Sequence, residues 1–295
     1  MKPSRFQYHR ATDVPHALAL LREHAGDTKI LAGGQSLVPA MNFRLARPGV
    51  LIDINAIEGL AGVTGSSAAG LTIGALTRHA AFHTPVEPGP VGALLARVVT
   101  NIAHYPIRQR GTFGGSLSHA DPASEWCLTA MTLDAVMVIC GPSGERRVPA
   151  PAFFRGTFTT AIGEEDLLRA IEIPPYPGDW RGGFYEFSRR KGDFALAMAL
   201  AFLRLEDGRI AEARLGLGSV SDRPIRLTAG EAMLCGRAPD AALFREVAAD
   251  AQGRIEPSGD IHASSEYRRD LVGTVIERAL ARACGLPDHA GEAVR

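Results

Sequence analysis

The sequence predicts a two-domain α+β protein, in which a larger N-terminal domain of mixed helices and strands precedes a small antiparallel sheet backed by helices. Three observations predict it. At 295 residues the chain has room for two domains of about 150 residues each. Pro174-Pro175-Tyr176-Pro177-Gly178-Asp179 is the densest group of structure breakers, and the residue pattern changes after it. Beyond it, two apolar runs flank Glu206-Asp207-Gly208, a hairpin signal because both central residues of a type I′ turn need φ > 0. The domains are expected at 1–176, with subdomains of about 1–56 and 57–176, and at 177–290.

Taken in order, Asp13 is a cap for a helix carrying Ala17, Leu18, Leu20 and Leu21, with Pro15 tolerated in its first turn. Lys29-Ile30-Leu31 reads as a strand, Ala32-Gly33-Gly34-Gln35-Ser36 as a loop, Leu37 to Phe43 as an apolar segment, and Val50 to Ile54 as a second strand. Leu71 to Ala75 is another strand, followed by Thr77 as a candidate cap. Val91, Leu94, Leu95, Val98, Val99 and Ile102 recur at helical spacing. Pro106 predicts an extended His104 to Arg110, and Gly111-Thr112-Phe113-Gly114-Gly115-Ser116 reads as a second glycine loop. Asp121-Pro122 signals a helix start through Trp126, Leu128 and Met131. Ala135 to Cys140 and Glu145 to Val148 form a hairpin around Gly141-Pro142-Ser143-Gly144. Phe184 to Arg189, Phe194 to Leu205 and Arg209 to Gly218 give three antiparallel strands, and helices are expected at Thr228 to Cys235, Asp240 to Ala251 and Ser264 to Cys284.

Composition narrows the function. Lys plus Arg number 32, as do Asp plus Glu, so nothing marks a nucleic-acid binder. Cys127, Cys140, Cys235 and Cys284 lie 13, 95 and 49 residues apart, which matches no iron–sulfur or zinc motif. The N-terminus lacks a signal-peptide pattern, and the longest apolar run, Phe194 to Leu203, is ten residues, against the ~20 needed to span a bilayer. A reduced, cytoplasmic protein without a membrane span is expected.

Two loops of adjacent glycines carry the chemical signal. Residues without a Cβ let backbone N–H groups approach an anion closely, and a helix start adds a positive dipole end. Either loop alone also reads as a tight turn. Together they suit a diphosphate held from both sides. Asp121 and Glu125, spaced i and i+4 on the expected helix, can accept hydrogen bonds from a polyol or ribose, or remain a solvated face. The spacings G-x-G-x-x-G and G-x-x-x-x-G-K-[ST] are absent, which disfavours an ordinary Rossmann domain or a P-loop enzyme. Arg108, Arg110, Arg189, Arg190 and Lys191 are candidate phosphate contacts or solvated surface. His79 and His83 lack a third metal ligand in a recognisable spacing. Ser36 and Ser116 are outside any G-x-S-x-G context.

Ala32-Gly33-Gly34-Gln35-Ser36-Leu37-Val38-Pro39, Leu51-Ile52-Asp53-Ile54-Asn55, Ile73-Gly74-Ala75-Leu76-Thr77, and Ile107 to Ser116 with His119-Ala120-Asp121-Pro122 form an ordered series. The series resembles the FAD-binding medium subunit of molybdenum-containing hydroxylases, the family of carbon monoxide, nicotine and xanthine dehydrogenases. Arg189-Arg190-Lys191-Gly192-Asp193-Phe194-Ala195 and Ser265-Glu266-Tyr267-Arg268-Arg269 look like that family's C-terminal domain. Phe113 stands where the family usually has Ile, Val or Leu.

The resemblance implies a two-subdomain FAD-binding fold of the PCMH type, similar to vanillyl-alcohol oxidases, followed by a C-terminal domain of small antiparallel sheet and helical bundle. It implies that Leu31, Ala32, Gly33, Gly34, Gln35, Ser36 and Leu37, with Gly111, Thr112, Phe113, Gly114, Gly115 and Ser116, wrap the FAD diphosphate. Asp121 and Glu125 match acidic positions near the ribityl or ribose hydroxyls, and Ile102, Lys191 and Phe194 match positions near the flavin ring. No residue of this chain is expected to act as a catalytic acid or base. The implied partners are a large molybdopterin-binding subunit and a small subunit with two [2Fe–2S] clusters, in a dimer of heterotrimers. A self-contained flavin oxidase and a non-catalytic phosphate-binding or assembly module are the alternatives.

Overall fold

The computed structural model describes residues 2–287; residues 288–290 of the expected C-terminal domain lie outside the described residues. The chain opens with β1 (Gln7–Arg10), α1 (Val14–Glu23), β2 (Thr28–Leu31), α2 (Leu37–Asn42) and β3 (Val50–Asp53). The strands form a parallel sheet in the order β1-β3-β2. Asp13 caps α1 by accepting the His16 N–H at 2.8 Å, which satisfies an amide that the first helical turn leaves without a partner. The buried face of α1, Ala17, Leu20 and Leu21, joins Ile52 and Ile54 in one small core.

Next come β4 (Val63–Ser66), β5 (Gly70–Gly74), α3 (Pro90–Val99), α4 (Tyr105–Arg108), α5 (Phe113–His119), α6 (Glu125–Thr132), β6 (Val136–Gly141), β7 (Gly144–Pro149), α7 (Ala150–Phe153), β8 (Phe154–Gly156), β9 (Thr159–Thr160) and β10 (Leu167–Ile173). An antiparallel sheet runs β4-β5-β10-β6-β7, and β8 pairs with β9. The central strand β10 has no clear period-2 signature, because its pairing with β6 shifts register between Leu168 and Ala170.

The structure departs from the expected elements at four places. His104 to Arg110 is not extended: α4 occupies it, with Pro106 in the first turn, where a missing N–H costs nothing. Gly111 to Ser116 is not a loop throughout, since Thr112 caps α5 and the two glycines lie in its first turn. Thr77 caps no helix; its buried hydroxyl instead bridges the N–H and the carbonyl of Gly62. The helix begins at Ser124 rather than Asp121, because the Ser124 side chain accepts from the Cys127 N–H.

The remainder comprises β11 (Trp180–Phe187), β12 (Ala197–Glu206), β13 (Arg209–Gly218), β14 (Ile225–Arg226), α8 (Thr228–Leu234), α9 (Ala241–Arg254) and α10 (Ser265–Cys284). The strands pair antiparallel in that order. The first two strands are displaced from Phe184 to Arg189 and Phe194 to Leu205, because the loop at 188–196 interrupts the apolar pattern. β12 is apolar without alternation because both faces are covered. Met198, Leu200 and Phe202 enter the core of the preceding domain, whereas Ala197, Ala199, Ala201 and Leu203 pack with Val272, Val275, Ile276 and Leu280 of α10. Phe202 stacks on Trp180 at 5.0 Å and meets Tyr176 edge-on at 5.1 Å, so apolar packing runs across the breaker segment. Arg268 is buried and donates to the carbonyls of Leu196 (2.7 Å) and Ser219 (3.0 Å) and to Asp260 (2.7 Å), so it pins α10 to the sheet.

Candidate functional site

The site begins where β2 ends. From Leu31 the chain turns through Ala32-Gly33-Gly34-Gln35-Ser36 into α2, and Gly34 takes φ +72°, a conformation that side chains strain. Gln35 Nε2 donates to the Gly33 carbonyl at 3.0 Å and holds the turn. Among the described residues, the amides of Gly33, Gly34, Gln35 and Ser36 donate to no protein acceptor. Since partly buried amides are nearly always paired, four in succession make a concave donor surface suited to an anion.

The second segment lies directly against the first. A Cβ on Gly33 would stand 2.5 Å from the Arg110 carbonyl oxygen and 2.7 Å from Gly111 Cα, and one on Gly115 would stand 3.9 Å from Ala32 Cβ. The two turns therefore face each other backbone to backbone. The second offers fewer donors, however. The Phe113 amide donates to Thr77 O and the Gly114 amide to Ala75 O, both at 2.9 Å, and the Gly115 amide donates to Thr112 Oγ1 at 3.0 Å. Gly114 lacks a side chain so that α5 can lie on Ala75, where a Cβ would come within 2.5 Å. Gly111 leaves room for the His79 ring. Trp126 Nε1 donates to His79 Nδ1 at 2.9 Å, and burial, with Arg108 and Arg78 nearby, lowers the His79 pKa to about 4, so the ring is neutral. Phe113 fills its unusual place by packing on Trp126 at 4.7 Å and Phe82 at 5.6 Å.

Beside the first turn, where Gln109 and Arg110 lead into the second, opens a cavity of about 530 Å³, lined by Leu31 to Gln35, Val38, Pro39, Asp53, Asn55, Arg78, Gln109 and Arg110. Arg78 and Arg110 make no ion pair with a carboxylate among the described residues; burial and then the Arg110 charge lower the Arg78 pKa. Asp53 is partnered by Tyr8 at 2.5 Å and by Asn55, and these hydrogen bonds outweigh the burial that raises its pKa, holding it below the ordinary value. Sequence reasoning missed Asn55, Arg78 and Gln109 as site residues. Their only signal is position, just after a strand or just before a glycine turn.

The other sequence-predicted residues lie outside this cavity. Asp121 precedes α6 and accepts the Ala123 N–H at 2.9 Å, so it and Glu125 do not share a helix face. Burial, with the Asp121 charge adding, raises Glu125 to about 7, and burial with Glu125 raises Glu186 of β11 to about 9. The Glu125 charge is thus felt at Glu186 of β11. Ile102 is buried, and its carbonyl accepts from Arg108 at 2.7 Å; Arg108 also donates to Ala103 O at 2.9 Å, so it serves the loop and not a phosphate. Gly192 sits against the His104 ring and Ala103 O, which brings the 191–194 turn beside Ile102. Lys191 and Phe194 are exposed there.

Open amides, a cavity of this size beside them and two guanidiniums without carboxylates fit the diphosphate of a dinucleotide cofactor. Residues 4–176 match the model of the FAD-binding domain in molybdopterin dehydrogenase, and residues 183–283 match that of the CO dehydrogenase flavoprotein C-terminal domain. The chain is 38% identical to the 6-hydroxypseudooxynicotine dehydrogenase complex subunit alpha of Paenarthrobacter nicotinovorans over 284 residues, and 38% identical to the caffeine dehydrogenase subunit beta of a Pseudomonas species over 285; each alignment covers 96% of both chains. The solved carbon monoxide dehydrogenase of Hydrogenophaga pseudoflava superposes with a TM-score of 0.92 at 34% identity, over 97% of this chain and 99% of that one. Both domain models and the near-full-length relatives agree: the chain belongs to the family of FAD-binding electron-transfer subunits of molybdenum-containing hydroxylases, an oxidoreductase family.

Proposed function

We propose that the amides of Gly33 to Ser36 hold the FAD diphosphate, with Thr112 and the guanidiniums of Arg78 and Arg110 completing its surroundings. The observation that carries this reading is the contact of Gly33 with Arg110 and Gly111, which leaves backbone donors and two cations around one cleft. FAD supplies the redox chemistry, and the protein binds and orients it. Asp121 and Glu125 face the ribityl or ribose hydroxyls, and Ile102, Lys191 and Phe194 approach the flavin ring from the domain junction. Burial, with the Asp121 charge adding, favours the neutral Glu125 carboxyl, which can donate as well as accept a hydrogen bond there. The domains divide at 176/177. Electrons arrive from two [2Fe–2S] clusters on a small subunit, downstream of a molybdenum cofactor on a large one, and leave to an external acceptor. The assembly is a dimer of heterotrimers in the cytoplasm; no helix among the described residues is long and apolar enough to cross a membrane.

Co-purification of the untagged complex, with flavin and metal analysis, tests this reading. One FAD per copy of this chain is expected, with molybdenum and iron present only alongside two other polypeptides. A colourless chain, or FAD reduced directly by an organic substrate without those partners, refutes it.

A further inference from the structure

We propose that Asn55 and Arg78 form a latch that sets the separation of the two turns before FAD arrives, and that they act as positioning residues. The latch rests on the FAD reading above. Asn55 Nδ2 donates to the carbonyls of Ala32 at 2.9 Å and Leu31 at 3.3 Å, which holds the first turn. Its side-chain oxygen accepts from Arg78 Nη2 at 2.6 Å, and the other arm of the same guanidinium donates to the Arg110 carbonyl, which immediately precedes the second turn. The path Ala32–Asn55–Arg78–Arg110 crosses from the first subdomain to the second and ends on the atom that Gly33 faces. Asn55 is itself fixed at its base, because Asp53 Oδ1 accepts both its amide (2.8 Å) and its Nδ2 (2.6 Å) while Tyr8 holds Asp53 Oδ2.

Three features mark the pair as more than a surface contact. Arg78 has no carboxylate partner among the described residues, so both of its assigned bonds go to neutral oxygens that locate the turns. A planar guanidinium reaches two acceptors in a fixed fork, which a lysine ammonium on a flexible stem does not reproduce. The backbone around Arg78 is already tied to the second turn, since the His79 N–H donates to Gly111 O at 3.0 Å and the Phe113 N–H to Thr77 O at 2.9 Å. The side chain thus extends a rigid attachment across to the first turn, and a preset gap reduces the ordering that binding would otherwise require.

The test uses the full chain, stripped of FAD and titrated with FAD by flavin fluorescence, comparing wild type with Arg78→Lys, Asn55→Ala and the double variant. Arg78→Lys is expected to weaken FAD binding about tenfold or more, as is Asn55→Ala. The double variant is expected to be no weaker than the worse single one, because one latch opens only once. A slower association rate with little change in the salt dependence of binding is also expected. Wild-type affinity in Arg78→Lys overturns the latch, since it leaves Arg78 only the charge beside the phosphates that the FAD reading already gives it, with no part for the fork that joins the turns. Additive losses in the double variant overturn it too, as does a fall in the Tm of the FAD-free variants that accounts for the whole loss. Failure of the wild-type chain to bind FAD instead overturns the underlying FAD reading.

Discussion

Gly33→Ala isolates the contact between the two turns. The methyl group would stand 2.5 Å from Arg110 O and 2.7 Å from Gly111 Cα, whereas ordinary contact begins near 3.4 Å, so the turns must part by about 0.9 Å. Both obstacles are backbone, and no rotamer relieves them. Overpacking of this kind costs about 1–3 kcal/mol. Asn55 and Arg78 tie the turns together, so the FAD-free chain relieves the clash only in part. What it relieves by parting the turns is returned on binding and weakens it, by up to about 140-fold at 1.4 kcal/mol per tenfold, and what it does not relieve lowers the Tm. The assay is FAD titration of the stripped chain, with the Tm of the FAD-free form measured in parallel. Unchanged FAD affinity in Gly33→Ala refutes the facing-turn geometry as the basis of binding. Gly34→Val supplies the contrast: its neighbours are the flexible ends of Leu31 and Val38, but φ +72° imposes about 1–2 kcal/mol of backbone strain, and more on a β-branched residue. That variant is expected to lose both Tm and flavin, and full yellow absorbance in it counts against the first turn as a diphosphate site.

Glu186 predicts a pH dependence. Its folded pKa is raised from 4.5 to about 9 by burial and then by Glu125, so the neutral acid is the favoured form; that contribution is full below pH 4.5 and is lost as pH rises toward 9. Glu186→Gln mimics the neutral acid. Its partial exposure to water leaves about 1 kcal/mol of benefit at pH 8, so a Tm about 2–4 °C above wild type is expected there, with parity near pH 4.5. A variant less stable than wild type at both pH values refutes a neutral Glu186. Phe202→Ala removes a fully buried ring that joins both domains and costs about 3–5 kcal/mol. Helix loss and flavin release should then coincide on heating, and two separate transitions would show that the domains do not share this core.

Much of this protein was legible in its residues. Asp13, the Asp207-Gly208 hairpin and the three C-terminal helices carry local signals, because caps, type I′ turns and 3.6-residue apolar spacing are satisfied within a few residues. The failures are also local. Pro106 is as compatible with a first helical turn as with extended chain, and Ser124 outcompeted Asp121 as the cap because it lies three residues before a free amide. The displaced bulge in β10 hid the central strand of the larger sheet.

Residue spacing alone made the helix at Asp13, the C-terminal hairpin and helices, the order of the domains and the glycine turn at Gly34 readable, since each depends on backbone freedom or on neighbours along the chain. Only the tertiary structure decided that Gly33 abuts Arg110, that the amides of Phe113 and Gly114 already have acceptors, and that Asn55 and Arg78 join the two turns. Those contacts unite residues 23 to 77 positions apart, and nothing in a one-dimensional pattern records which carbonyl a distant amide will find.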